Sequence, residues 1–171
     1  MAQHKRRVDR VLEPAYVDDL AASSLEELRA RHSECLEIET EVSYVRRLAQ
    51  ARLDILRAEL SRRAAGGTVG DLIAALPQIL ADEGPRAPVT ESRLPRHLAP
   101  SMDIKWNRGL EHLVFDETLA TLPTLADEEL ESRIEQLSTL ERELSERRRS
   151  LHHVIEAIEL DLAGRHKVGR T

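Results

Sequence analysis

Glu39, Ser43, Arg46, Gln50 and Asp54 follow one another at spacings of four, three, four and four residues. At about 100° per residue they occupy about 80° of a helix surface, so five hydrogen-bonding side chains line one narrow strip. A second strip begins 102 positions after the first. Glu141, Ser145 and Arg148 repeat its opening residues, and His152 and Glu156 stand where Gln50 and Asp54 stand in the first copy. Such strips are equipped to recognise a polar ligand. Arg presents a planar fork that can bond the O6 and N7 edge of a guanine, stack on its ring or pair with a phosphate. Asp and Glu accept from guanine N1 and N2, while Ser, Gln and His serve phosphate, ribose or base edges. The same residues also suit a plainer task, since the flanks of coiled coils carry Glu and Arg that bridge neighbouring helices and fix their register.

Positioning the strips takes two long helices, and the chain carries the signals for both. Ser24 and Glu27 form a capping box, and no Gly or Pro follows until Gly66, which predicts helix A over Leu25 to Ala64. Thr124 and Asp127 give a similar start signal, and the uninterrupted run up to Gly164 predicts helix B from about Ala126 to Ala163. About 40 residues make a helix on the order of 60 Å long, normal for a coiled coil and too long for a compact domain. The apolar residues share the offset of the polar ones. Leu28 aligns with Leu130, Cys35 with Leu137, Ile38 with Leu140 and Val42 with Leu144, and Ala49, Leu53, Leu56 and Leu60 continue the match on Leu151, Ile155, Ile158 and Leu162.

The fold class is therefore all-α: two long helices pair as an antiparallel coiled coil, with a short N-terminal segment and a partly helical, partly disordered linker. The divisions are an arm at 1–23, helix A at 24–65, a linker at 66–123, helix B at 124–164 and a tail at 165–171. The antiparallel direction rests on ligand symmetry, because a linker of roughly 60 residues can return the chain either way. Two copies of one strip imply a ligand of approximate twofold symmetry, such as a cyclic dinucleotide. Its axis would bring Arg46 near Arg148 and Glu39 toward Glu156.

The remaining segments are read more coarsely. Val8 to Leu20 can hold a short helical turn broken by Pro14. Gly66, Gly67 and Gly70 read as a flexible joint, Asp71 to Ala81 as a short helix despite Pro77, and the stretch with Pro85, Pro88, Pro95 and Pro100 as extended or disordered. Trp106, Leu110, Leu113, Val114 and Phe115 could cap the helix ends or dock another protein. Tyr44, Leu48 and Ile55 form a second apolar strip on helix A, away from the seam. It is either a docking face for a partner or a surface covered by the Trp106 to Phe115 region.

Composition excludes several classes. Phe115, Trp106, Tyr16 and Tyr44 are the only aromatic residues and a third of the chain is charged, so its apolar residues work as stripes rather than a thick interior. A formal charge of −6, with Arg interleaved among Glu, argues against direct DNA binding. The basic run from His4 to Arg10 is the exception, and it reads as an ordinary flexible terminus. No apolar run reaches the roughly 18 residues of a membrane span, and no signal segment follows the start, which implies a cytoplasmic protein. Cys35, the single cysteine, has no partner for a disulfide or a cysteine-based zinc site and reads as a buried thiol. No phosphate loop, nucleophile elbow or His-Glu-x-x-His is present, and the adjacent His152 and His153 point to different faces, so neither an enzyme nor a metal site is expected.

The string ETEVSYVRRLAQARLDILRAEL, which holds Glu39, Ser43, Arg46, Gln50 and Asp54, resembles the signature helix of the RsiG family of anti-sigma factors. The resemblance implies a motif carried on both helices of a coiled coil, which together hold a dimer of cyclic di-GMP, two nucleotides per chain. It implies as partner WhiG, a flagellar-type sigma factor of sporulation genes, sequestered by the loaded protein. With both helices supplied by one chain, a monomer is expected before sigma binding. Helix A matches all five motif positions. Helix B departs at His152 and Glu156, which puts its base contacts in doubt.

Overall fold

The structure, a computed structural model, describes residues 6–81, 110–115 and 117–168. In chain order the helices are α1 (Arg7–Val11), α2 (Ala15–Asp18), α3 (Leu25–Ala64), α4 (Val69–Ile79), α5 (Thr118–Thr121) and α6 (Asp127–Val168), with 3-10 turns at Glu111–Val114 and Leu122–Thr124. The all-α class holds, and helices A and B are α3 and α6. The proline-rich stretch and Trp106 lie outside the described residues. Among those described, no helix is long and apolar enough to cross a membrane. They form two compact units: one holds the residues up to Tyr44 and from Glu143 onward, the other those between Val45 and Arg142, and α3 and α6 contribute to both.

In the first unit the seam consists of Leu28, Cys35, Ile38 and Val42 on α3 with Leu144, Leu151, Ile155 and Ile158 on α6, all fully buried. His32 meets Glu159 at 3.0 Å and Glu39 meets Arg148 at 3.0 Å, so numbers rise along α3 as they fall along α6 and the pair is antiparallel. Ser24 and Glu27 form the capping box that starts α3: the Ser24 amide donates to the Glu27 carboxylate at 2.7 Å and the Glu27 amide to the Ser24 hydroxyl at 3.2 Å. Val8 and Val11 of α1 are fully buried. Around them Arg7 pairs with Glu34 and Glu37, Arg10 with Glu34, and the Tyr16 hydroxyl donates to Glu34. The basic arm is thus, from Arg6 onward, a docked segment rather than a free terminus, because α3 offers carboxylates to its guanidinium groups. Cys35 is buried as expected, and burial pushes its thiol up to about 11.

Helix α6 runs through Gly164 to Val168, past the predicted stop. A mid-helix Gly costs only about 1 kcal/mol, and the next residue anchors the turn. Arg165 donates to the carbonyls of Leu20 and Ser23 at 2.6 and 2.5 Å and pairs with Asp161 at 2.7 Å.

The second unit repeats the antiparallel seam with Val45, Ala49, Leu53 and Leu56 against Leu130, Leu137 and Leu140. Arg46 meets Glu141 at one level and Arg63 meets Asp127 at another. Gly66 and Gly67 are an ordered helix stop instead of a flexible joint. Gly66 adopts φ +69°, its amide bonds the Arg63 carbonyl and that of Gly67 the Arg62 carbonyl, both at 3.0 Å, which is the Schellman pattern. A Thr68–Asp71 capping box then opens α4, and Pro77 lies within it. The start signal expected at Thr124 is absent, since its hydroxyl turns back to the Thr121 carbonyl. Arg63 serves that corner instead, donating to the carbonyls of Leu122 and Leu125 and pairing with Asp127.

Glu59, only 1% exposed, receives Arg62 at 2.7 Å and Arg63 at 2.6 Å. Hydrogen bonds from Arg62 lower its carboxyl to about 2, against the opposing effect of burial and with help from Arg63. A carboxyl depressed in the folded state contributes stability that is complete above its unfolded value near 4.5 and is lost as pH falls toward 2. Denaturant unfolding of Glu59→Gln should therefore show a loss on the order of 2 kcal/mol at pH 7 that closes against wild type between those two values. Gly66→Ala should cost about 1 kcal/mol by the same measurement, through its left-handed backbone alone.

Candidate functional site

A residue beside a narrow seam faces the flank of the partner helix, and here that geometry brings the strips together across the helix pair. In the first unit Arg148 Nε donates to Glu39 Oε1 and to Ser43 Oγ, each at 3.0 Å. Ser43 Oγ donates in turn to Glu39 Oε1 at 2.8 Å, and His152 Nε2 lies 3.2 Å from the same oxygen. In the second unit Glu141 Oε1 receives Arg46 at 3.3 Å and the Gln50 amide at 3.1 Å. One plan is used twice: a Glu from one helix gathers an Arg, and a Gln or His four residues beyond it, from the other. His152 fills toward its carboxylate the place that Gln50 fills toward Glu141.

Burial pushes the Glu39 carboxyl up, but the Ser43 hydroxyl, Arg148 and His152 outweigh it and leave it below the ordinary carboxylate range. Arg46 is only partly satisfied, because its Nε is buried without a hydrogen-bond partner. A cavity of roughly 920 Å³ opens beside it, lined by Arg46, Gln50, Asp54 and Glu141 and by Gln78 to Ala81 at the end of α4. Asp54 is exposed and has no ion-pair or hydrogen-bond partner among the described residues.

Other predicted positions fall differently. Glu39 is not turned toward Glu156. It takes the Arg148 guanidinium and the His152 ring nitrogen, and Glu156 stays exposed with His153 3.7 Å away. Ser145 is half-buried. Arg46 and Arg148 belong to different units, each on its own carboxylate. Tyr44, Leu48 and Ile55 are half-buried rather than exposed. Arg52, on the same face as Leu48 and Ile55, donates to the Leu113 carbonyl at 3.1 Å, and Leu113 and Val114 are buried, so the end of the linker reaches that face of the helix. The α4 end was missed as a cavity wall, since its apolar residues signal a helix without saying what it packs against.

Fold and site together define an all-α protein whose helix pairing carries two cross-helix carboxylate–guanidinium clusters. Residues 14–80, less than half of the chain, match the RsiG-like family, and this span holds α3 with its complete five-residue strip as well as α4. The RsiG resemblance is thereby borne out over that span. No curated protein matches the chain.

A double-mutant cycle on Glu39→Ala and Arg148→Ala should return a coupling on the order of 0.5–1 kcal/mol at pH 7, small because Arg148 remains partly in water. The coupling should fade as pH drops below the usual carboxylate range, because Glu39 must ionise to hold the pair.

Proposed function

We propose that this protein is a cytoplasmic regulatory binding protein, not an enzyme: an anti-sigma factor whose hold on a WhiG-type sigma factor depends on cyclic di-GMP. The observation that carries the reading is the duplicated cluster, in which Glu39 gathers Arg148 and His152 while Glu141 gathers Arg46 and Gln50. A dinucleotide with two guanines and two phosphates offers each cluster a planar acceptor edge for its Arg and donors for its carboxylates. The buried, unpaired Nε of Arg46 and the unpartnered Asp54 leave hydrogen-bonding capacity in the second unit for a ligand to use. A ligand that bonds both helices stabilises the paired form, and sigma affinity rises if sigma prefers that form.

The same clusters also support a ligand-free reading, a coiled-coil adaptor. Arg46 and Arg148 already hold carboxylates of the opposite helix, as register-setting pairs do. Titration calorimetry separates the two. Cyclic di-GMP should bind at about two nucleotides per monomeric chain and raise the melting midpoint. Arg46→Ala and Arg148→Ala should each weaken binding roughly a hundredfold, because a charge-assisted contact is lost and ligand charge is left unpaired. Wild-type protein that takes up no cyclic di-GMP while still capturing the sigma factor would leave the adaptor reading standing.

A further inference from the structure

The two strips diverge one step beyond Asp54 and Glu156, and the divergence falls inside the second unit's cavity. Arg57 lies three residues past Asp54, so it continues the strip on the same face of α3, and it lines the same cavity as Arg46, Asp54 and Glu141. Its counterpart 102 positions on is Glu159, opposite in charge and engaged with His32 in the first unit. Arg57 is exposed, and among the described residues its only hydrogen-bond partner is the Ser138 hydroxyl at 3.4 Å, a distance at the weak end of the range. Arg47 also faces the cavity, and so do the apolar Ile79 and Leu80 from the end of α4. Among the described residues the lining thus brings Arg46 and Arg57 together with Glu141 and Asp54 next to an apolar wall.

We infer that Arg57 is a phosphate-binding residue outside the five-residue strip, engaging an anionic oxygen of a nucleotide held in the second unit's cavity with its base against Ile79 and Leu80. This deepens the proposed function and rests on it. Arg57 breaks almost nothing to serve this role, since one long hydrogen bond to a hydroxyl is exchanged for a charge-assisted contact. Glu159 at the equivalent place repels an anion, so the two clusters take the ligand unequally and the second unit's is the tighter.

The test is titration of cyclic di-GMP into wild type, Arg57→Ala, Arg57→Lys and Arg57→Glu, at low salt and near 1 M salt. Exposure of Arg57 leaves folding intact, which thermal melting without ligand verifies. Arg57→Ala should weaken binding about tenfold, Arg57→Glu further, and Arg57→Lys should recover part of the loss as a point charge without the fork. The gap between wild type and Arg57→Ala should shrink at high salt, where an exposed charge is screened within about 3 Å. Wild-type binding with unchanged affinity in Arg57→Ala and Arg57→Glu overturns the assignment of Arg57 and leaves the proposed function in place. Absence of binding by wild type overturns both.

Discussion

The contact that governs this protein is a seam only one apolar stripe wide. Leu, Ile, Val, Ala and Cys fill it without aromatic rings, so the helices lie close and each burial removes a modest area from water, about 25 cal/mol per Å² of it. A thick core would hold the flanking side chains apart. A thin one leaves Glu39, Arg46, Glu141 and Arg148 within reach of the facing helix, and their meeting is a consequence of what the seam lacks. Cross-helix chemistry is obtained here by keeping the interior small.

The flanks are of two kinds. Glu59 with Arg62 and Arg63 is almost closed to water, and its strongly lowered carboxyl marks a structural knot that closes the corner between α3 and α6. The Glu39 and Glu141 clusters are half-open, and the second is incompletely satisfied, with a buried donor on Arg46 and, among the described residues, an unpartnered carboxylate on Asp54. Clusters that only fix register resemble the first kind, because leaving a buried donor unpaired costs stability. The incomplete second cluster therefore has more to gain from a ligand, and this contrast with Glu59 favours the regulatory reading over the adaptor one.

Much of this was legible along the chain. Ser24 and Glu27 announced the start of α3 and Gly66 its end, because capping and left-handed backbone are local physics that a few neighbouring residues settle. The apolar repeat named the buried seam from Leu28 to Leu56 and from Leu130 to Ile158, Cys35 included, although Leu60 and Leu162 at its end are only half-buried, and the polar repeat named Glu39, Arg46, Gln50, Glu141, Arg148 and His152, which meet across the helices. The full strip on α3 also lies within the span that matches a known family. Local signals failed where a distant residue overruled them. Gly164 does not end α6, because Arg165 reaches the carbonyls before α3, and Thr124 does not cap it, because Arg63 arrives at that corner.

By itself the sequence determined the helices, their buried faces and the composition of the two strips, since periodicity and capping act over a few residues. Only the tertiary structure decided that each helix runs against the other, that Glu39 takes Arg148 and His152 while Glu156 stays in water, and that the end of α4 walls the cavity beside Arg46 and Arg57. These are choices among partners far apart in the chain, and the many carboxylates and guanidinium groups here are chemically equivalent until packing sets their distances.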